Sequence, residues 1–409
     1  MLHNWLTSSE LPVAGLLLGP ASSPERYELI KELHGPRHPV IEEEDAPVVW
    51  EARERHSGKF VAIKILRSLA HDSRHTLDEA TQLWRVAGYN SLQTGSPPLI
   101  PSAHPGQAHC LVILDSFALP LAAGTPLSAE LTSWDVGDCA VVLELVGPTL
   151  AQWQKARPSP FFPLPLVRRL VKQLLLAVIY LHDGLSEDAI GHASITLDNL
   201  LLREFCSEDD LKRDKPAVSP FLKLGGFNHS VSVKSARDHW YTRPGDWVAA
   251  SAEQLLLSDA QYKESPVRPI DVWAVGQVAS LLLFARNLAL EGLSLADEGN
   301  SSPPELRVWG LPPSEVITLA SLDPEAAWPR FFSEANVQER VHASNYPFNL
   351  PSVKPVETLQ ERIDAEGKVT DPDERKQLGS FLRACWTLDP YNRPTAKELL
   401  EHKWLLGVE

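Results

Sequence analysis

Residues 191–199 read GHASITLDN and run straight into three leucines. The stretch holds an imidazole (His192), two hydroxyls (Ser194 and Thr196), a carboxyl (Asp198) and a carboxamide (Asn199). Those types suit proton transfer or the binding of a metal or an anion. The spacing does not suit the first use, because the only acid neighbours Asn199 rather than His192. Such a histidine is more often a satisfied core residue than a proton shuttle. Ser194 reads as a catalytic hydroxyl or as a loop hydroxyl bonded to nearby backbone, and the second reading is the favoured one. The 14 histidines show no metal-ligand spacing. The four cysteines, Cys110, Cys139, Cys206 and Cys385, form no C-x-x-C pair, which predicts reduced thiols in a cytosolic or nuclear protein with no metal site.

Elements on either side must hold this loop. Before it, Val167, Leu170, Val171, Leu174, Leu175, Val178 and Leu181 recur at helical spacing, predicting a strong helix that ends at YLH. Further upstream, YELIKEL, VVWEA, KFVAIKIL, CLVIL and CAVVLEL read as strands, and SRHTLDEATQLWRVAG reads as a helix. After the loop, residues 200–203 and 221–224 are short strand-like pieces. They are separated by the polar insert FCSEDDLKRDKPAVSP, which reads as a loop. Residues 251–409 read as mainly helical, with a T-x-x-E capping box at Thr395 and Glu398. The predicted organisation is a tail over 1–26, a small sheet lobe over about 27–146 and a helical lobe over about 147–406.

Composition limits the partners. The chain has 409 residues, 44% of them hydrophobic, and a formal net charge of -15. That balance argues against generic binding to nucleic acid or anionic membranes, and it tolerates a basic protein partner. The apolar run Leu11 to Leu18 is broken by Gly15 and lacks a basic flank, so it makes a poor signal peptide. The longest apolar segment, Val272 to Ala285, falls short of the roughly 20 residues of a membrane span and reads as a buried helix.

The order of these pieces resembles the protein kinase fold over about residues 27–406. The implied class is α+β and bilobal, a small antiparallel β lobe with one helix joined to a larger α-helical lobe. VAIK at 61–64 resembles the kinase strand motif whose lysine holds nucleotide phosphates, and Glu79 falls where that family pairs a helix glutamate with the lysine. VVW, LDEATQL, LELVGPTLAQW, GLPPSEVI and the C-terminal FLRACWTLDPYNRPTAKELLEHKWL resemble the SR-protein kinase branch, its fungal members in particular. The resemblance implies a nucleotide cleft. Leu143 would be its gatekeeper, Glu144 and Val146 would offer backbone groups to adenine, and Val49, Ala62 and Leu201 would sandwich the ring. His192, Phe227 and Leu83 match members of the spine that joins the lobes. SAE at 251–253 resembles A-P-E, with Arg393 as the partner of its glutamate. Asp271 matches the acid that braces the catalytic loop.

Against H-x-D-x-K-x-x-N, the same frame places Ser194 at the catalytic base and Thr196 at the loop lysine. Where D-[FL]-G should supply the Mg²⁺ carboxylate stand Gly226, Phe227 and Asn228. Asn199 is left as a weak metal ligand. The glycine-rich loop keeps only Gly35 and carries the acidic run Glu42 to Asp45, otherwise readable as a solvated loop. The implied protein is a catalytically impaired kinase, a pseudokinase that acts as a binding or regulatory module. ATP is its candidate cofactor, Mg²⁺ is weakly held or absent, and a monomer with a basic, Arg-Ser-rich protein partner is expected. The alternative is an ATP-dependent serine/threonine kinase that phosphorylates Arg-Ser-rich proteins.

Overall fold

A computed structural model describes residues 13–33, 48–66, 73–89, 104–119, 139–185, 189–203, 221–233, 267–289, 358–387 and 390–408. The loop after Leu33 with Gly35 and the acidic run, the insert after Arg203, SAE at 251–253 and GLPPSEVI lie outside them, as does Cys206.

The small lobe is a six-stranded antiparallel sheet formed by β1 (Leu17–Leu18), β2 (Tyr27–Leu33), β3 (Val48–Glu54), β4 (Phe60–Leu66), β5 (Ile113–Ala118) and β6 (Cys139–Glu144), in the order β1-β2-β3-β4-β6-β5. Alternation along β4 assigns its two faces. Val61, Ile63 and Ile65 enter a cluster with Tyr27, Leu29, Trp50 and Phe117. Ala62 and Leu66 enter a second cluster with Ala80 and Leu83 of α1 (Ser73–Val86), and that cluster continues into the large lobe. Lys64 shares the Ala62 face, opposite Val49 in the register, and Ala62 is opposite Leu143.

Two expectations need correction. Residues 17–18, expected within a tail, form a strand paired with Glu28 and Tyr27, and Leu18 is completely buried. A two-residue strand between Gly15 and Pro20 has too little alternation to announce itself. The strand expected over CLVIL starts only at Ile113 and runs on to Ala118. Cys110 instead bridges Leu224 of the large lobe, and Leu111 N–H donates to the Leu224 carbonyl at 2.8 Å.

The large lobe is organised by α2 (Leu150–Ala156), α3 (Leu164–Ile179), α4 (Arg268–Phe284), α5 (Leu359–Glu366), α6 (Pro372–Cys385) and α7 (Ala396–Leu400). α4 is buried on every side from Ile270 to Phe284, so an all-round apolar sequence is what its place demands. Close approach of α4 to α6 needs Gly276, since a Cβ there would lie 2.6 Å from Trp386 Nε1. The Thr395–Glu398 capping box starts α7.

Two short ladders sit where the lobes meet. β7 (Ile190–Gly191) pairs with β10 (Val231–Ser232), and β8 (Leu200–Leu202) pairs with β9 (Leu222–Leu224). The loop 192–199 joins β7 to β8, and the loop 225–230 joins β9 to β10. The pairing therefore lays the two loops side by side.

If β1 is part of the core, Leu18→Ala lowers the unfolding free energy by about 2–5 kcal/mol, as large-to-small core changes do. Chemical denaturation checks this, and a change below about 0.5 kcal/mol, the range of neutral surface substitutions, would return residues 13–18 to the status of a tail.

Candidate functional site

The loop 192–199 is hung from one buried acid. Asp271, fully buried on α4, accepts hydrogen bonds from His192 N–H and Ala193 N–H at 2.8 Å each, and from His182 Nε2 at 2.8 Å. His182 follows α3 in a short π turn, Tyr180–Gly184, so the helix end, α4 and the loop share one anchor. Ala193 adopts φ 59°, a left-handed conformation unusual outside glycine, and its bond to Asp271 holds it there.

His192 is completely buried and both ring nitrogens are used. Nε2 donates to the Gly225 carbonyl at 2.9 Å, and Nδ1 accepts from Ser194 N–H at 3.3 Å. Burial pushes its pKa below the usual histidine value, opposed by the nearby Asp271. The network thus assigns a neutral Nε2–H tautomer. The ring meets Phe227 edge-on at 4.9 Å, and α1, which carries Leu83, packs on the 227–229 turn. His192 is a spacer between the lobes and has no free nitrogen to move a proton.

Lys64 and Glu79 form a two-pronged pair, with Nζ 2.7 and 2.9 Å from the two carboxylate oxygens. The Lys64 side chain is 14% exposed and that of Glu79 is 3% exposed. The contact ties β4 to α1 and sets a cation on the sheet face that carries Ala62. Ala62 is buried, while Val49 and Val146 are half-buried and pack on the same cluster. Leu201 stands across the β8–β9 ladder from Lys223 and is bridged to Thr149. Glu144 is tied to the segment before β5. Its N–H donates to the Val112 carbonyl at 3.0 Å, and its carboxylate accepts from Val112 N–H and lies 2.7 Å from Lys223 Nζ.

Lys223 is a residue that sequence reasoning passed over. It is 3% exposed and also donates to the Cys110 carbonyl at 3.1 Å, so it joins β9, the end of β6 and the segment before β5. A lone lysine between two leucines of a short strand was the available signal.

The loop chemistry centres on Asn199 and Gly226. Asn199 Nδ2 donates to the Ser194 carbonyl at 2.8 Å and reaches Ser194 Oγ at 3.5 Å. The Asn199 carbonyl accepts from Gly225 N–H at 2.8 Å. Gly226 is left-handed at φ 74° and ψ 53°, and a Cβ built on it would fall 2.1 Å from Asn199 Oδ1. The carboxamide therefore lies across the space that a side chain at 226 would enter. Thr196 precedes the 3₁₀ turn that carries Asp198 and Asn199. Arg393 donates to the Thr387 and Pro269 carbonyls at 2.8 and 2.6 Å, and the glutamate expected beside it, Glu253, lies outside the described residues.

This contact is testable as a cycle. Gly226→Ala destabilises the chain by about 1–3 kcal/mol, through overpacking against Asn199 and a strained φ. In an Asn199→Ala background the same change costs at least about 0.5 kcal/mol less, the coupling expected of touching residues. Urea denaturation of the four proteins measures it, and strict additivity would show that the two residues do not touch.

Comparison with known proteins fits this geometry. The family model described as "Protein kinase domain" matches residues 135–405. A serine/threonine-protein kinase SRPK of Physarum polycephalum is 29% identical over 168 residues, which is 41% of this chain and 33% of that protein. A serine/threonine-protein kinase MAK of Homo sapiens is 23% identical over 266 residues, 64% of this chain and 33% of that protein. Cyclin-dependent kinase 4 of Xenopus laevis is 24% identical over 377 residues, 91% of each. The chain spans about a third of the length of the first two. With a lysine–glutamate pair under the sheet, two loops laid together at the lobe junction and a family match over more than half its length, the chain belongs to the protein kinase domain family.

Proposed function

We propose that this chain is an SR-protein-kinase-like domain that has lost efficient phosphoryl transfer and works as a binding or regulatory module. One observation carries the reading. At the two positions where the family frame calls for carboxylates stand Ser194 and Gly226, and the Asn199 carboxamide lies over Gly226 with its Nδ2 bonded to the Ser194 backbone. A neutral hydroxyl is a poor acceptor for a substrate proton, and one positioned base is worth about 10²–10⁴ in rate. Taken from the roughly 1–100 s⁻¹ of ordinary kinases, the largest such loss, about 10⁴, leaves turnover on the order of 10⁻² s⁻¹ or less.

The donor set also fits Mg²⁺ poorly. A hard cation wants several oxygen ligands, carboxylates among them. Among the described residues no three His, Cys, Asp or Glu side chains converge to hold a metal. Glu79 is occupied by Lys64, and Asp271 is enclosed by three donors. ATP remains a candidate ligand, through Lys64, Asn199 and the hinge. The acid-rich charge of -15 favours a basic protein partner, Arg-Ser-rich by the branch resemblance, bound by a monomer in the cytoplasm or nucleus.

The intact Lys64–Glu79 pair favours a second reading, a slow ATP-dependent serine/threonine kinase acting on Arg-Ser-rich proteins. A phosphotransfer assay with Mg²⁺ or Mn²⁺ and Arg-Ser peptides separates the two. The expected result is no turnover above the order of 10⁻² s⁻¹. Turnover in the ordinary kinase range that disappears in Lys64→Ala would establish the second reading.

A further inference from the structure

The phosphate end of the cleft has an unusual charge balance. The kinase frame assigns Lys64 to that end, and Glu79 offsets its charge. The family's loop lysine is replaced by Thr196 and its metal carboxylate by Gly226. Nothing on Gly226 can reach a cation, and the bond from Asn199 Nδ2 to the Ser194 carbonyl fixes the carboxamide with Oδ1 toward Gly226. An Asp at 226 could enter only if that carboxamide swung out, because its Cβ alone would stand 2.1 Å from Oδ1. The site is therefore built around the missing carboxylate and does not merely lack it.

This has a consequence for the ligand. In the kinase frame the strand lysine meets the α- and β-phosphates, and metal ions bridge β and γ. With the metal seat filled by a carboxamide, the γ-phosphate brings added negative charge and meets neither a divalent ion nor the loop lysine. A divalent ion already on the nucleotide withdraws charge from the oxygens that Lys64 must bind and finds no carboxylate at 194 or 226. We infer that the cleft selects a metal-free adenine nucleoside diphosphate, binding ADP at least as tightly as ATP and gaining nothing from divalent cations. The inference rests on the reading of this domain as impaired in transfer, and it names the ligand of that same cleft.

Calorimetric titration of the full chain with ADP and with ATP, each in EDTA and in millimolar Mg²⁺, tests it. The expected result is a dissociation constant for ADP equal to or below that for ATP, altered by Mg²⁺ less than about threefold, with binding lost in Lys64→Met. A tenfold or greater gain from Mg²⁺, tenfold tighter ATP, or unchanged binding in Lys64→Met would overturn the inference. So would the absence of saturable binding for both nucleotides, a result that leaves the impaired-transfer reading standing. Phosphotransfer in the same samples would instead fail that reading and not this one. As a second arm, Gly226→Asp combined with Asn199→Ala exchanges the carboxamide for a carboxylate, and about a tenfold dependence on Mg²⁺ should appear. A folded double variant as indifferent to Mg²⁺ as the native chain would count against the seat at 226.

Discussion

A carboxyl group in a dry interior has to be surrounded by donors, and Asp271 is where this fold meets that demand. It takes two loop N–H groups and one imidazole, all at 2.8 Å, from two segments that both precede it in the chain. Leaving two buried N–H groups unpaired costs about 1–3 kcal/mol each, so the loop at 192–199 is not free to choose another path. Everything at the lobe junction follows from that path. Ala193 is pinned at a positive φ, His192 is turned onto Gly225 and Phe227, and Asn199 is brought over Gly226. The anchor makes no reference to catalysis and is indifferent to what side chain stands at 194.

That independence explains how chemistry and architecture separate here. The retained groups are those whose loss would expose an unpaired buried atom or open the core: Asp271, His192, Phe227, Leu83 and the Lys64–Glu79 pair. Breaking a buried ion pair from one side costs about 3–5 kcal/mol, a large share of a domain's stability. The residues at 194, 196 and 226, Ser, Thr and Gly, stand where the kinase frame carries charge. Removing that charge takes away repulsion and desolvation and leaves no orphan behind. The carboxamide of Asn199 fills the vacated volume and finds its partner on the Ser194 backbone.

Much of this was legible in the sequence, and the exceptions have physical reasons. Alternating β-branched residues announced β3 and β4, strand-like runs announced β2 and β6, and the 3.6-residue period announced α3. β1 has two residues, and what makes it a strand is Leu18 in a cluster formed by residues far along the chain. CLVIL looked like one strand because burial and strand pairing leave the same apolar mark, whereas Cys110 and Leu111 are buried against the other lobe. The roles of Lys64 and Glu79 were readable only through a family frame. The Asn199–Gly226 contact and the Lys223–Glu144 pair were not readable at all, since each joins residues that meet only once the β8–β9 ladder has formed.

The central claim is that Asp271, His192 and the Lys64–Glu79 pair hold a kinase frame in which the groups at 194, 196 and 226 set the limit on phosphoryl transfer. The most direct measurement is metal-dependent ATP turnover by the chain carrying Ser194→Asp, Thr196→Lys and Gly226→Asp together. If the claim holds, the folded triple variant hydrolyses ATP, or phosphorylates itself, at least about 10²-fold faster than the native chain and only with Mg²⁺. A triple variant that folds as stably as the native chain and turns over no faster would contradict it.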